Sequence, residues 1–153
     1  MNYEINPDTL ALISEKNGTR VLEYDDEYRI NETTYTIMEN SCKYFGSSFD
    51  GRINGSKNIL GSIYKVPIIV EETQKLIFFP TESLTSPKVA WIAYKNIKNI
   101  EKFGKHSLIR FINGRSIVIE CPYFTLKNQI FRCNMLDSIF TKRRTSKYDK
   151  KND

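Results

Sequence analysis

Apolar residues recur along this chain in short blocks separated by polar, turn-forming clusters, a pattern that predicts strands over most of its length. TLALIS at 9–14 and TRVLEY at 19–24 read as two strands joined by EKNG, and ETTYTIM at 32–38 reads as a further strand. Ser41 then stands as the cap of a helical segment holding Cys42, Tyr44 and Phe45. Gly46, Gly51, Gly55 and Gly61 make a long helix costly there, so the expected element is a short turn of helix that breaks into loop and resumes weakly over 57–60. VPIIVEE at 66–72 and KLIFFPT at 75–81 predict a hairpin punctuated by Pro67 and Pro80, and ESLTSPK leads on to VAWIAYKNI at 89–97.

The strongest local signal is SLIRFINGRSIVIE at 107–120, two strands about Asn113 and Gly114, both of which tolerate the positive φ of a tight turn. After Pro122, residues 124–140 place Leu126, Ile130, Met135 and Phe140 at helical spacing, with Phe131 and Cys133 widening the apolar face. The expected class is α+β: mostly antiparallel strands, a short glycine-interrupted helical segment, and a C-terminal helix packed on the sheet.

A length of 153 residues with 40% hydrophobic residues suits one folded domain, expected over 1–141. The end, TKRRTSKYDKKND, carries six basic residues and almost no apolar ones, so 142–153 is expected to trail as a mobile cationic tail. Runs such as LIFF at 76–79 fall far short of the roughly 20 residues of a membrane helix, and MNYEINPDTL lacks the features of a secretory signal. A cytoplasmic protein with no membrane partner is expected. Cys42, Cys121 and Cys133 form no CxxC pair and read as small buried hydrophobes in a reducing compartment.

Charge changes the picture more. The net +5 divides into −6 over residues 1–40, where nine acids face three basic residues, and +11 over 41–153. That asymmetry points toward nucleic acid or another anionic surface.

The stretch SCKYFGSSFDGRINGS at 41–56 invites a phosphate-loop reading, since Gly46 and Gly51 have Walker A spacing. Arg52 and Ile53 stand where that loop needs Lys and Ser or Thr, so nucleotide hydrolysis finds no support. The single histidine, His106, lies beside Lys105 in a turn-like GKHS and reads as a surface residue. No nucleophile elbow or paired carboxylates appear, so no catalytic residue, metal site or cofactor is expected. What remains is cationic and aromatic: Lys43, Tyr44, Phe45, Phe49, Arg52, Lys57, Tyr64 and Lys65 interleave charge with rings, with the rings expected to be mainly core.

In order along the chain, SCKYFGSSFDGR, KVPIIV, IFFPT, SPKVAWI, FINGR and NQIFR resemble the successive landmarks of the competence transcription factor (ComK) family, most strongly over 41–137. The resemblance implies a bacterial DNA-binding activator of genes for DNA uptake and recombination, associated with the nucleoid, that recognises AT-rich promoter boxes through the minor groove as a homo-oligomer. Under it, Arg52 is the expected groove residue. Lys43, Lys57, Lys65 and Arg132 are expected to hold phosphates, with backbone N–H groups of Ser47 and Ser48 assisting. Longer family members carry a C-terminal segment that helps a proteolytic adaptor capture them, and this sequence stops short of it, so the adaptor is the partner least expected here. The alternative to double-stranded DNA binding is a short paralogue acting as a protein-interaction or regulatory subunit.

Overall fold

The computed structural model describes residues 2–61 and 64–152, with side chains through residue 145. Strands β1 (Thr9–Glu15) and β2 (Gly18–Glu23) form the expected first hairpin, and β3 (Glu27–Ile30) adds to β2. Gly18 is obligatory: at φ 146°, a Cβ there would lie 2.1 Å from the Ile30 carbonyl oxygen.

The strand expected at 32–38 is instead the start of helix α1 (Thr34–Tyr44). Thr33 caps it by accepting from Thr36 N–H at 3.1 Å, and Ile37, Met38, Ser41 and Cys42 fall on one buried face. Ser41 is therefore no cap. It lies inside the helix, where its Oγ accepts from Ile5 N–H at 2.9 Å. Nor do the glycines stop a second helix, α2 (Phe49–Leu60), from forming with Gly51 and Gly55 inside it. Burial of Phe49 and Ser56, with Ile53 packed against the core, outweighs the helix cost of two glycines, on the order of 2 kcal/mol together.

The remaining elements are β4 (Ile68–Glu71), β5 (Leu76–Pro80), β6 (Ala90–Ala93), a 3-10 turn (Tyr94–Asn96), β7 (Ile97–Phe103), β8 (His106–Phe111), β9 (Ser116–Ile119) and α3 (Tyr123–Asn152). Six strands make one antiparallel sheet in the order β3-β2-β1-β6-β5-β4, and β7-β8-β9 make a second. Strand β7 was not anticipated, because its residues are mostly exposed and only Ile97 and Ile100 turn inward.

Alternation sorts the large sheet into two cores. Leu12, Val21, Ile68, Phe78 and Trp91 face α1 and the start of α2, while Leu22, Ile69, Ile77, Phe79 and Ile92 face the small sheet and α3. Helix α2 packs on β4, its Phe49 end in the first core and Ile59 and Leu60 in the second. The layers are thus helices, sheet, then small sheet with α3. The α+β class and the C-terminal helix packed on the sheets agree with the sequence reading.

At the β8–β9 hairpin only Gly114 takes positive φ (93°), so the turn is not the two-residue form expected from Asn113-Gly114. Gly114 N–H closes it on Phe111 O at 3.0 Å. Its tip is a clamp: Asn113 Nδ2 donates to Tyr24 O at 2.8 Å, and Arg115 Nη1 donates to Glu23 O at 2.8 Å and Asp26 O at 3.0 Å. Helix α3 continues through the segment whose composition reads as a tail, and Arg144 lies over the Phe140 ring at 5.8 Å. The side chains of residues 146–153 lie outside the described part.

Candidate nucleic-acid interface

The stretch 41–56 folds as the end of one helix, a four-residue connector and the start of the next. Gly46, at φ 82°, reverses the chain after α1, with Ser47 N–H donating to Cys42 O and Gly46 N–H to Lys43 O, both at 2.9 Å. Ser48 then caps α2, its Oγ accepting from Gly51 N–H at 3.0 Å. The connectivity is helix, short glycine turn, helix.

Arg52 lies on the flank of α2 and is held twice. Its Nη2 donates to Glu72 Oε2 at 2.8 Å and its Nε to Ser47 Oγ at 3.3 Å, with 21% of the side chain exposed. The same guanidinium sits near the Cys42 thiol, which burial pushes up to about 11 against that positive charge. Lys43 is exposed in the last turn of α1, and Lys57 is half-buried in the last turn of α2. Lys43, Ser47, Ser48 and Arg52 are therefore gathered at the helix junction, with Lys57 at the far end of α2.

Lys65 and Arg132 form a separate group. The side chain of Lys65 is exposed, but its carbonyl accepts from Gln129 Nε2 at 2.7 Å and from Arg132 Nη1 at 3.2 Å. Arg132 Nη2 also donates to Tyr64 O at 2.8 Å, so this guanidinium pins residues 64–65 to α3. Burial there pushes its pKa down. Two of the basic side chains singled out from the sequence, Arg52 and Arg132, thus organise backbone and helix junctions.

The sequence reading missed the exposed face of α2. Gly51, Asn54, Gly55 and Asn58, spaced i, i+3, i+4 and i+7, share one side of the helix and are all exposed. A Cβ at Gly55 would meet nothing within 4 Å, so packing does not require glycine there. Arg143 brings a further guanidinium to the end of this face, its Nη1 donating to Asn58 Oδ1 at 3.4 Å. The signal was present in the glycine and asparagine spacing, which has helical period.

Burial raises the pKa of Cys121 and lifts that of Cys133 well above the ordinary thiol value, and all three cysteines are free and buried. Among the described residues no group of three or more His, Cys, Asp or Glu is placed to hold a metal ion. No helix among them is long and apolar enough to cross a membrane.

The family described as "ComK protein" matches residues 1–145. The chain belongs to the ComK family. The competence transcription factor of Bacillus subtilis (strain 168) is 29% identical over 147 residues, covering 93% of this chain and 77% of that protein. No solved structure matches. The ComK match takes in the first forty residues as well, where the sequence landmarks were thin.

Proposed function

We propose that this chain is a competence transcription factor that binds AT-rich promoter duplex, with α2 as the element laid against DNA. The observation that carries the reading is family membership spanning residues 1–145. The local geometry supports it. A glycine at an exposed helical position costs about 1 kcal/mol relative to alanine, and at Gly55 the fold gains nothing in return. A smooth helix face lets backbone approach a duplex closely, and Asn54 and Asn58 bring amides able to donate to base edges.

An α-helix is wider than the roughly 6 Å minor groove, so α2 lies across its mouth and side chains reach in. A·T pairs present only acceptors there, and narrow A-tract grooves hold the negative potential that attracts guanidinium groups. Arg52 reaches the groove by exchanging Glu72 for DNA. Lys43, Lys57 and Lys65 supply phosphate contacts, and Arg132 contributes by fixing the segment that carries Lys65. The homo-oligomer that the family resemblance implies would set more than one α2 against the promoter boxes.

The test is fluorescence anisotropy with three duplexes of equal length: A·T-rich, G·C-rich, and one with inosine·cytosine replacing A·T. Inosine·cytosine resembles A·T in the minor groove and G·C in the major groove. The expected order is A·T and inosine·cytosine alike, both tighter than G·C. Equal affinity for all three sinks AT recognition, and inosine·cytosine behaving as G·C moves the contact to the major groove.

A further inference from the structure

Helix α3 carries an exposed row that neither core uses. Phe124, Phe131 and Met135 are 67%, 60% and 36% exposed, while Leu126, Cys133 and Leu136 on the opposite side are buried. Spacings of seven and four residues align the three along one line of the helix, spanning about 16 Å. A single exposed apolar side chain is ordinary, but three aligned with two phenylalanines among them form an apolar row, with the exposed Lys127 and Asn128 in the turn between Phe124 and Phe131.

Cations frame this strip. Lys102 places its Nζ 4.9 Å from the Phe124 ring and 5.8 Å from that of Tyr123. Beside the middle of the row, Arg132 fixes residues 64–65, where Tyr64 is itself 75% exposed. On α3 itself Lys127, Arg132 and Lys142 lie along or beside the row, whereas Arg143 reaches Asn58 of α2 and Arg144 lies over Phe140, and Asp137 is the one acid of residues 123–145. Asp137 adds no negative charge to the strip, because Lys75 and Lys95 hold its carboxylate at 2.5 and 3.3 Å from the sheet side.

We infer that this row docks an acidic amphipathic helix from a partner protein. An apolar row with lysines along it complements a helix with an apolar stripe and carboxylates along its margins, the two packing helix against helix. Charge selects this occupant over two others. A second copy pairing row against row brings Lys127 and Lys142 against their own kind. Duplex DNA would match the lysines but leave two phenylalanine rings against phosphates that need donors.

A fluorescein-labelled designed peptide of roughly 18 residues, with leucines at the a and d heptad positions and glutamates elsewhere, tests this by anisotropy on the full chain. A scrambled peptide of the same composition is the control. The designed peptide is expected to bind at least about tenfold more tightly than the scrambled one, with helical circular dichroism rising on mixing. Phe131→Ala should weaken it about tenfold, and Lys127→Glu should weaken it while flattening its salt dependence. Both positions are exposed, so the thermal midpoint should stay unchanged, and Lys127→Glu alone decides the matter if Phe131→Ala folds poorly. Equal binding of both peptides, or no effect of either substitution, overturns the proposal. So does a concentration-dependent dimer in sedimentation that Phe131→Ala dissolves, which makes the occupant a second copy. Loss of AT-rich duplex binding in Phe131→Ala would assign the row to DNA instead, whereas unchanged duplex binding separates this site from the α2 face.

Discussion

Arg52 Nη2 donates to Glu72 Oε2 at 2.8 Å, tying the flank of α2 to the turn that follows β4. The residue expected from the sequence to enter a DNA groove is thus already neutralised by a half-exposed carboxylate. Arg52→Ala should remove the preference for A·T over G·C duplex and cost on the order of 1 kcal/mol in urea unfolding. Glu72→Gln releases the guanidinium and deletes a carboxylate facing DNA, so its affinity for A·T-rich duplex should rise severalfold. An Arg52→Ala protein with the full A·T preference would make the residue a junction staple only.

Gly55 separates stability from binding. Gly55→Ala should raise the unfolding free energy by about 1 kcal/mol, read in urea melts. Gly55→Leu should fold as well yet lower duplex affinity about tenfold or more, since its side chain rises from the face that must lie close. Gly51 is a poorer probe, because a Cβ there meets the capping Ser48 Oγ at 2.8 Å.

Asp137 gives a pH signature. Burial pushes its carboxyl up, but hydrogen bonds and charge from Lys75 and Lys95 outweigh that and hold it below the ordinary carboxylate value. A carboxyl depressed in the folded state contributes stability that is present above its unfolded value of about 3.9 and is lost as pH falls through the folded value. Asp137→Asn should therefore be less stable than the parent at pH 7, by roughly 1 kcal/mol, and the gap should close as pH drops below about 3.9. Thermal melts across that range read it directly.

The Arg115 clamp should be felt at a distance. Arg115→Ala leaves the carbonyls of Glu23 and Asp26 without its guanidinium, at a cost of about 1–3 kcal/mol. Amide hydrogen exchange should quicken first in the β2–β3 turn, which lies across the sheet interface from the substitution.

Strands whose side chains alternate between two buried faces were plain in the sequence, as with Phe78 beside Phe79 and Trp91 beside Ile92. Helix α1 was hidden because Thr33, Thr34, Tyr35 and Thr36 favour strands by intrinsic preference, and only the buried spacing of Ile37, Met38, Ser41 and Cys42 overrides them. Helix α2 was hidden because glycine was read as a breaker, when two glycines on the solvent side leave its buried face intact. Among the candidate site residues, Lys43, Ser47, Ser48 and Arg52 were legible as neighbours in one glycine-rich stretch, though not as a junction of two helices. Their internal partners were not: Glu72 lies 20 residues from Arg52, and Tyr64 lies 68 residues from Arg132.

Strand order has a consequence for synthesis. Strand β1 pairs on one side with β2, its immediate successor, and on the other with β6, where Ala11 meets Ile92. As the chain leaves the ribosome, the first hairpin carries an open edge of Ala11, Leu12 and Ile13 until Trp91 and its neighbours emerge. An open apolar edge is a template for wrong pairing between nascent chains. A pause in translation between the codons for β2 and β6 is therefore expected to lower the yield of folded protein.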